Sequence, residues 1–76
     1  MKLPLLSSQE LCKFLEKEGF QALRQKGSHR FFQHSDGRTT VVPVHSNKDI
    51  GRGLLSGILE EISMDRVEFL RKYYKQ

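Results

Sequence analysis

Seventy-six residues make one small domain, at roughly 100 to 200 residues per typical domain, and leave no room for a separate cofactor module. Hydrophobic residues at 37% and charged residues at 29% form an ordinary globular balance. No apolar run approaches the roughly 20 residues of a membrane span or the roughly 7 to 15 of a signal-peptide core, so a cytoplasmic protein is expected. The net charge is +4, and the sole cysteine, Cys12, excludes an internal disulfide, so packing alone must hold a chain of this size together.

The elements follow in chain order. Ser7-Ser8-Gln9-Glu10 has capping-box spacing, and Leu11, Phe14 and Leu15 fall at i, i+3 and i+4, which predicts a helix closed by Gly19 as a left-handed residue. Cys12 lies beside that stripe and reads as a small buried hydrophobe. Between Phe20 and Val44 the punctuation changes. Gly27-Ser28 and Ser35-Asp36-Gly37 mark turns, and strands are expected near 20–26, 29–34 and 38–44. Pro43 lacks an amide donor, which places the third strand at a sheet edge. After the polar segment Ser46-Asn47-Lys48-Asp49, a second helix is read from Leu54, Leu55, Ile58, Leu59 and Ile62, with Gly51, Arg52 and Gly53 at its entrance. Ser63 is read as the cap of a short third helix with Met64, Val67, Leu70 and Tyr74 along one side.

This order predicts an α+β fold: a three-stranded antiparallel sheet with helices on one face and the other face open for binding. The arrangement α-β-β-β-α with a short extra C-terminal helix resembles the double-stranded-RNA-binding-domain fold.

Charge is concentrated in the strands and the loop that follows. Lys2, Lys13 and Lys17 cancel against Glu10, Glu16 and Glu18, and Arg66, Arg71, Lys72 and Lys75 cancel against Glu60, Glu61, Asp65 and Glu68. The excess lies in Arg24, Lys26, Arg30, Arg38, Lys48 and Arg52 against Asp36 and Asp49, a segment that also holds His29, His34 and His45. A basic centre between neutral flanks points to a polyanion partner.

His29 stands at the start of the second strand between Lys26 and Arg30. A free imidazole titrates near pH 6.5, so it can take a proton from an RNA 2′-hydroxyl and turn that oxygen into an internal nucleophile on the neighbouring phosphate. Such a ribonuclease needs a base, an acid and cationic stabilisation of the phosphorane, and no metal. A metal site is disfavoured by spacing: His29 and His34 are five residues apart and point to opposite faces of a regular strand, and neither CxxC nor HExxH occurs. Whether His45 shares a face with His29 depends on the second hairpin. A two-residue Asp36-Gly37 loop sets His34 opposite Thr39 and sends His45 to the other face. A three-residue Ser35-Asp36-Gly37 loop sets His34 opposite Arg38, and His29, Phe31, Val41, Pro43 and His45 then line one face while Phe32, Val42 and Val44 line the other. The second register is preferred. Of the adjacent Phe31 and Phe32, one is expected in the core and the other free to stack on a base. Gly51 and Gly53 around Arg52 read as a helix entry, with phosphate approach to the helix N-terminus as the alternative.

Gly27-Ser28-His29-Arg30-Phe31-Phe32, then Asp36-Gly37-Arg38, Val42-Pro43-Val44-His45, and Asn47-Lys48 leading through Gly51-Arg52-Gly53-Leu54-Leu55 to Ile58-Leu59, together resemble the HicA (YcfA-like) family of toxin ribonucleases. The match covers nearly the whole chain and departs nowhere from the glycine-serine-histidine motif. The resemblance implies an mRNA interferase from a type II toxin–antitoxin pair, with a HicB-like antitoxin as partner, single-stranded mRNA as substrate and no cofactor. It makes His29 the catalytic histidine. Lys26, Ser28, Arg30, Arg38, Lys48 and Arg52 are the expected RNA- and phosphate-binding set, and His45 is a possible second catalytic group. The rival reading is a non-catalytic double-stranded-RNA-binding module. A DNA-binding protein is disfavoured, because the second helix carries Glu60 and Glu61 and no basic residue from Leu54 to Ile62.

Overall fold

The structure, a computed structural model, describes residues 2–44 and 49–75. A two-residue strand β1 (Leu6–Ser7) runs directly into helix α1 (Ser8–Lys17), whose N-cap is Ser7. Both arms of the capping box are made: the Ser7 hydroxyl accepts from the Glu10 amide at 3.0 Å, and Glu10 Oε1 accepts from the Ser7 amide at 2.8 Å. Leu11, Cys12, Phe14 and Leu15 are buried. The helix stops as the spacing predicts. Gly19 takes φ +95°, and a Cβ there would lie 2.8 Å from His34 Nε2, so both backbone conformation and space demand glycine.

Three strands follow, β2 (Phe20–Lys26), β3 (His29–His34) and β4 (Thr39–Pro43), antiparallel and in the order β2-β3-β4, with Pro43 on an edge strand as expected. The first hairpin has a two-residue loop. Its φ is +59° at Gly27 and not positive at Ser28, the pattern of a type II′ turn, so Lys26 and His29 face each other directly. The second hairpin adopts the three-residue loop. The His34 amide donates to the Arg38 carbonyl at 2.8 Å, the Gly37 amide donates to the His34 carbonyl at 2.9 Å, and Gly37 has φ +98°. With Gln33 opposite Thr39 and Phe31 opposite Val41, Phe32, Thr40 and Val42 are buried under the helices, and His29, Phe31, Val41 and Pro43 share the outer face. The expected place of His45 on that face lies outside the described residues.

One irregularity in β2 is not visible in the sequence pattern. Pairing slips between Ala22 and Arg24, so Leu23 is an extra residue in a β-bulge. Phe20 and Ala22 pair with His34 and Phe32 on the inner side, whereas Arg24 and Lys26 pair with Phe31 and His29 on the outer side. A regular strand would have kept all four even-numbered residues on the inner face.

Strand β5 (Asp49–Ile50) pairs with β1, Leu6 opposite Ile50, and leads into α2 (Arg52–Glu61). Leu55, Ile58, Leu59 and Ile62 join Leu3, Leu6, Phe14, Phe20, Phe32 and Val42 in one core. The third helix begins differently from the sequence reading. The Met64 amide bonds the Leu59 carbonyl and the Ser63 amide bonds the Glu60 carbonyl, a Schellman ending of α2 that sets Ser63 at φ +56°. Ser63 therefore closes α2, and Asp65 caps α3 (Arg66–Tyr73) by accepting from the Glu68 amide at 2.8 Å. That shift also turns α3. Its inward side carries Phe69, Leu70 and the half-buried Tyr73, whereas Val67 and Tyr74 are exposed. Phe69 packs edge-on against Phe14 and stacks with Tyr73. No described helix is long and apolar enough to cross a membrane.

Candidate active site

His29 is exposed at the first position of β3, flanked across the sheet by Lys26 on β2 and Pro43 on β4. The next rung on the same face is Arg24, Phe31 and Val41, and the Arg24 guanidinium lies 4.8 Å from the centre of the Phe31 ring. Phe31 is half-buried and Phe32 fully buried, the division expected of adjacent strand residues. Helix α2 rises beside the edge strand and turns the open face into a groove of about 450 Å³. His29, Val41 and Pro43 form one side; Leu54, Gly57, Ile58 and Glu61 form the other. These α2 positions are i, i+3, i+4 and i+7, one face of the helix. Glu61 Oε1 accepts a 2.6 Å hydrogen bond from the hydroxyl of buried Thr40, so the carboxylate is tethered to the sheet.

The other residues singled out in the sequence are distributed around the molecule. Arg30 pairs with Val42 on the helix-covered face. Its guanidinium gives two hydrogen bonds to Gln25 Oε1, at 3.1 and 3.0 Å, and it lines a small cleft with Ser8, Gln9 and Cys12 of α1. Burial pushes the Cys12 thiol above its ordinary pKa, and the charge of Arg30 pulls in the opposite direction. Arg38 sits opposite His34, far along the sheet from His29. It holds Asp36 at 2.9 Å, donates to the Ile62 carbonyl at the end of α2 and lies over the Phe20 ring. Its hydrogen bonds hold the carboxyl of Asp36 below the usual range. Arg52 donates to the Leu3 carbonyl at 2.6 Å and lines a separate groove with Lys2 and Arg66. Ser28 remains in the turn, where its carbonyl accepts from the Val44 amide. Lys48 and His45 lie outside the described residues.

His34 has a structural place. Its ring meets Phe20 edge-on at 5.0 Å, and its Nδ1 accepts from the Asp36 amide at 3.1 Å. Among the described residues, no group of three or more His, Cys, Asp or Glu could hold a metal ion. The tertiary arrangement adds Arg24, Leu54, Gly57 and Glu61 to His29. Of these, Arg24 was legible as part of the basic segment, and only the bulge decides its face. The α2 positions carried a core-helix signal, in which Gly57 and Glu61 are simply the polar side.

The family model for HicA toxin of bacterial toxin-antitoxin matches residues 8–64. The chain belongs to the HicA toxin family. Comparison with curated proteins gives no match. The HicA span starts with α1, takes in the whole sheet and both walls of the groove, and ends just before α3. His29 and its neighbours thus all fall within the part of the chain that defines membership among these toxins.

Proposed function

We propose that this HicA-family toxin is a metal-independent RNA endonuclease acting on single-stranded mRNA, and that a HicB-like antitoxin silences it. The observation that carries the reading is the exposed His29 with Lys26 directly across from it and Arg24 on the next rung of the same face. A neutral imidazole removes the proton of a ribose 2′-hydroxyl. That oxygen bonds to the adjacent phosphorus, the bond from phosphorus to the 5′-oxygen breaks, and the departing oxygen takes up a proton. The products are a 2′,3′-cyclic phosphate and a 5′-hydroxyl. Lys26 meets the charge that grows on the phosphorane, and Arg24 with Phe31 offers a cation and a half-buried ring for the adjoining nucleotide. His45 is the second candidate for proton transfer. Each well-placed acid or base contributes about 10²- to 10⁴-fold.

Ser28 belongs to this reading as the turn residue that presents His29. Lys48 and Arg52 belong to it as contacts for phosphates farther along the strand. The positions of Arg30 and Arg38 support structural roles instead, since their guanidinium groups are engaged on the helix-covered side. An antitoxin that covers His29 and the cations beside it blocks substrate without any conformational change in the toxin.

The test is incubation of the purified chain with single-stranded RNA in excess chelator, beside His29→Ala. Fragments ending in cyclic phosphate, identified by mass spectrometry and lost in the variant, support the enzyme. Equal cleavage by both proteins removes His29 from the mechanism, and binding by both without cleavage favours the RNA-binding module.

A further inference from the structure

We propose that the groove between His29 and α2 is a nucleobase slot, and that Glu61 at its side selects guanine next to the scissile phosphate; this deepens the nuclease reading and rests on it. The slot has the make-up of a small-ligand site, mostly apolar walls with few polar groups. Pro43 and Leu54 supply flat or flexible apolar surface, and Leu54 is 45% exposed. Its width comes from Gly57. A Cβ built at Gly57 meets no atom of the described residues within 4 Å, so among them the position opens onto free space at the middle of the groove. His29 borders the same cavity, so a base held there brings its own ribose and phosphate to the imidazole.

Glu61 sets which base fits. Thr40 occupies one lone pair of Oε1, and the carboxylate retains acceptor sites on both oxygens. Guanine presents two adjacent donors, N1–H and the 2-amino group, which match the two oxygens of a carboxylate. Uracil presents one donor between two carbonyl oxygens, which a carboxylate repels. Cytosine and adenine offer an amino group beside an acceptor and fall between. A paired contact of this kind discriminates by about 10- to 100-fold.

The alternative occupant is a segment of protein, for which the apolar walls would also serve. The carboxylate tethered by a buried hydroxyl favours a ligand with paired N–H donors, which is a base edge.

The experiment measures kcat/KM on short RNAs that differ only at one nucleotide, which is guanosine, inosine, adenosine, cytidine or uridine. Wild type is compared with Glu61→Gln, Gly57→Leu and Gly57→Ala, with thermal midpoints recorded for all. Wild type is expected to prefer guanosine over uridine by about 10- to 100-fold, and to lose part of that preference with inosine, which lacks the 2-amino group. Glu61→Gln is expected to flatten the preference. Gly57→Leu fills the slot and lowers kcat/KM on every RNA, and Gly57→Ala lowers it less, although both replace a helix-interior glycine and raise or preserve the melting midpoint. Equal use of all bases by wild type, or undiminished cleavage by a folded Gly57→Leu, overturns the slot while the nuclease stands, and the second result assigns the groove to a protein partner. Absence of cleavage by wild type on any RNA overturns the nuclease reading and the slot with it.

Discussion

Lys26 and Arg30 flank the catalytic candidate in the sequence with equal charge, yet the sheet sends them to opposite faces, and a matched pair of substitutions separates them. Lys26→Met and Arg30→Met each remove one positive charge and keep most of the apolar stem. If Lys26 meets a phosphate of single-stranded RNA, its loss lowers the slope of log affinity against log salt by about 0.7, which makes the fall in affinity between 50 and 200 mM salt about 2.5-fold smaller. Its stability cost should be within about 0.5 kcal/mol, because the side chain is exposed. Arg30→Met has the reverse profile. The variant loses two hydrogen bonds from half-buried Arg30 to a single oxygen of exposed Gln25, worth about 0.5 to 1.5 kcal/mol and a midpoint lower by about 4 to 8 °C per kcal/mol. Its salt slope should match wild type. Fluorescence anisotropy with a labelled RNA, using a His29→Ala background to prevent turnover, gives the slopes, and circular dichroism gives the midpoints. A salt slope that drops as much for Arg30→Met as for Lys26→Met would refute the assignment of faces.

Three further outcomes follow from the fold. Gly19→Ala should destabilise the chain by about 2 to 3 kcal/mol in denaturant unfolding, since φ +95° is unfavourable for alanine and its Cβ would lie 2.8 Å from His34 Nε2; a loss under about 0.5 kcal/mol would contradict that account. Ser63→Gly should raise stability by up to about 1 kcal/mol, because Ser63 holds φ +56° at the Schellman ending of α2, and an unchanged midpoint would show that Ser63 carries no strain. Hydrogen bonds from the Ser7 amide and hydroxyl hold the carboxyl of Glu10 below its ordinary value of 4.5, so its stabilising effect is present above that value and is lost as pH falls through the lower folded one. Glu10→Gln should therefore be less stable than wild type at neutral pH, with the gap closing at acid pH; a pH-independent gap would point to lost packing.

Much of the fold was legible because its signals are local. The capping box at Ser7 and Glu10, the glycine stop at Gly19 and the Leu11-Phe14-Leu15 stripe involve residues within one or two helical turns of each other, and all appear where the spacing predicts. The three-residue loop was legible through Gly37, which alone in that segment adopts φ near +98° without cost. The start of α3 was misread for the same locality. Ser63 and Asp65 are both good caps, and the choice between them depends on where α2 releases the chain, which the burial of Ile62 and Met64 determines.

The sequence by itself determined the kind of protein this is: an α+β chain with a basic middle, a histidine at a tight hairpin and the order of motifs shared with HicA toxins. Tertiary structure decided which of the basic residues stand with that histidine. Phe20-Gln21-Ala22-Leu23-Arg24-Gln25-Lys26 has no alternation from which a face could be read, and Phe20 is held inward by the core. Side chains on a strand reverse face at every residue, so one extra residue at Leu23 reverses all that follow, turning Arg24 and Lys26 outward to Phe31 and His29. The wall of the groove was likewise beyond the sequence, because Gly57 and Glu61 gain their meaning from the strand edge that α2 packs against, more than ten residues away along the chain.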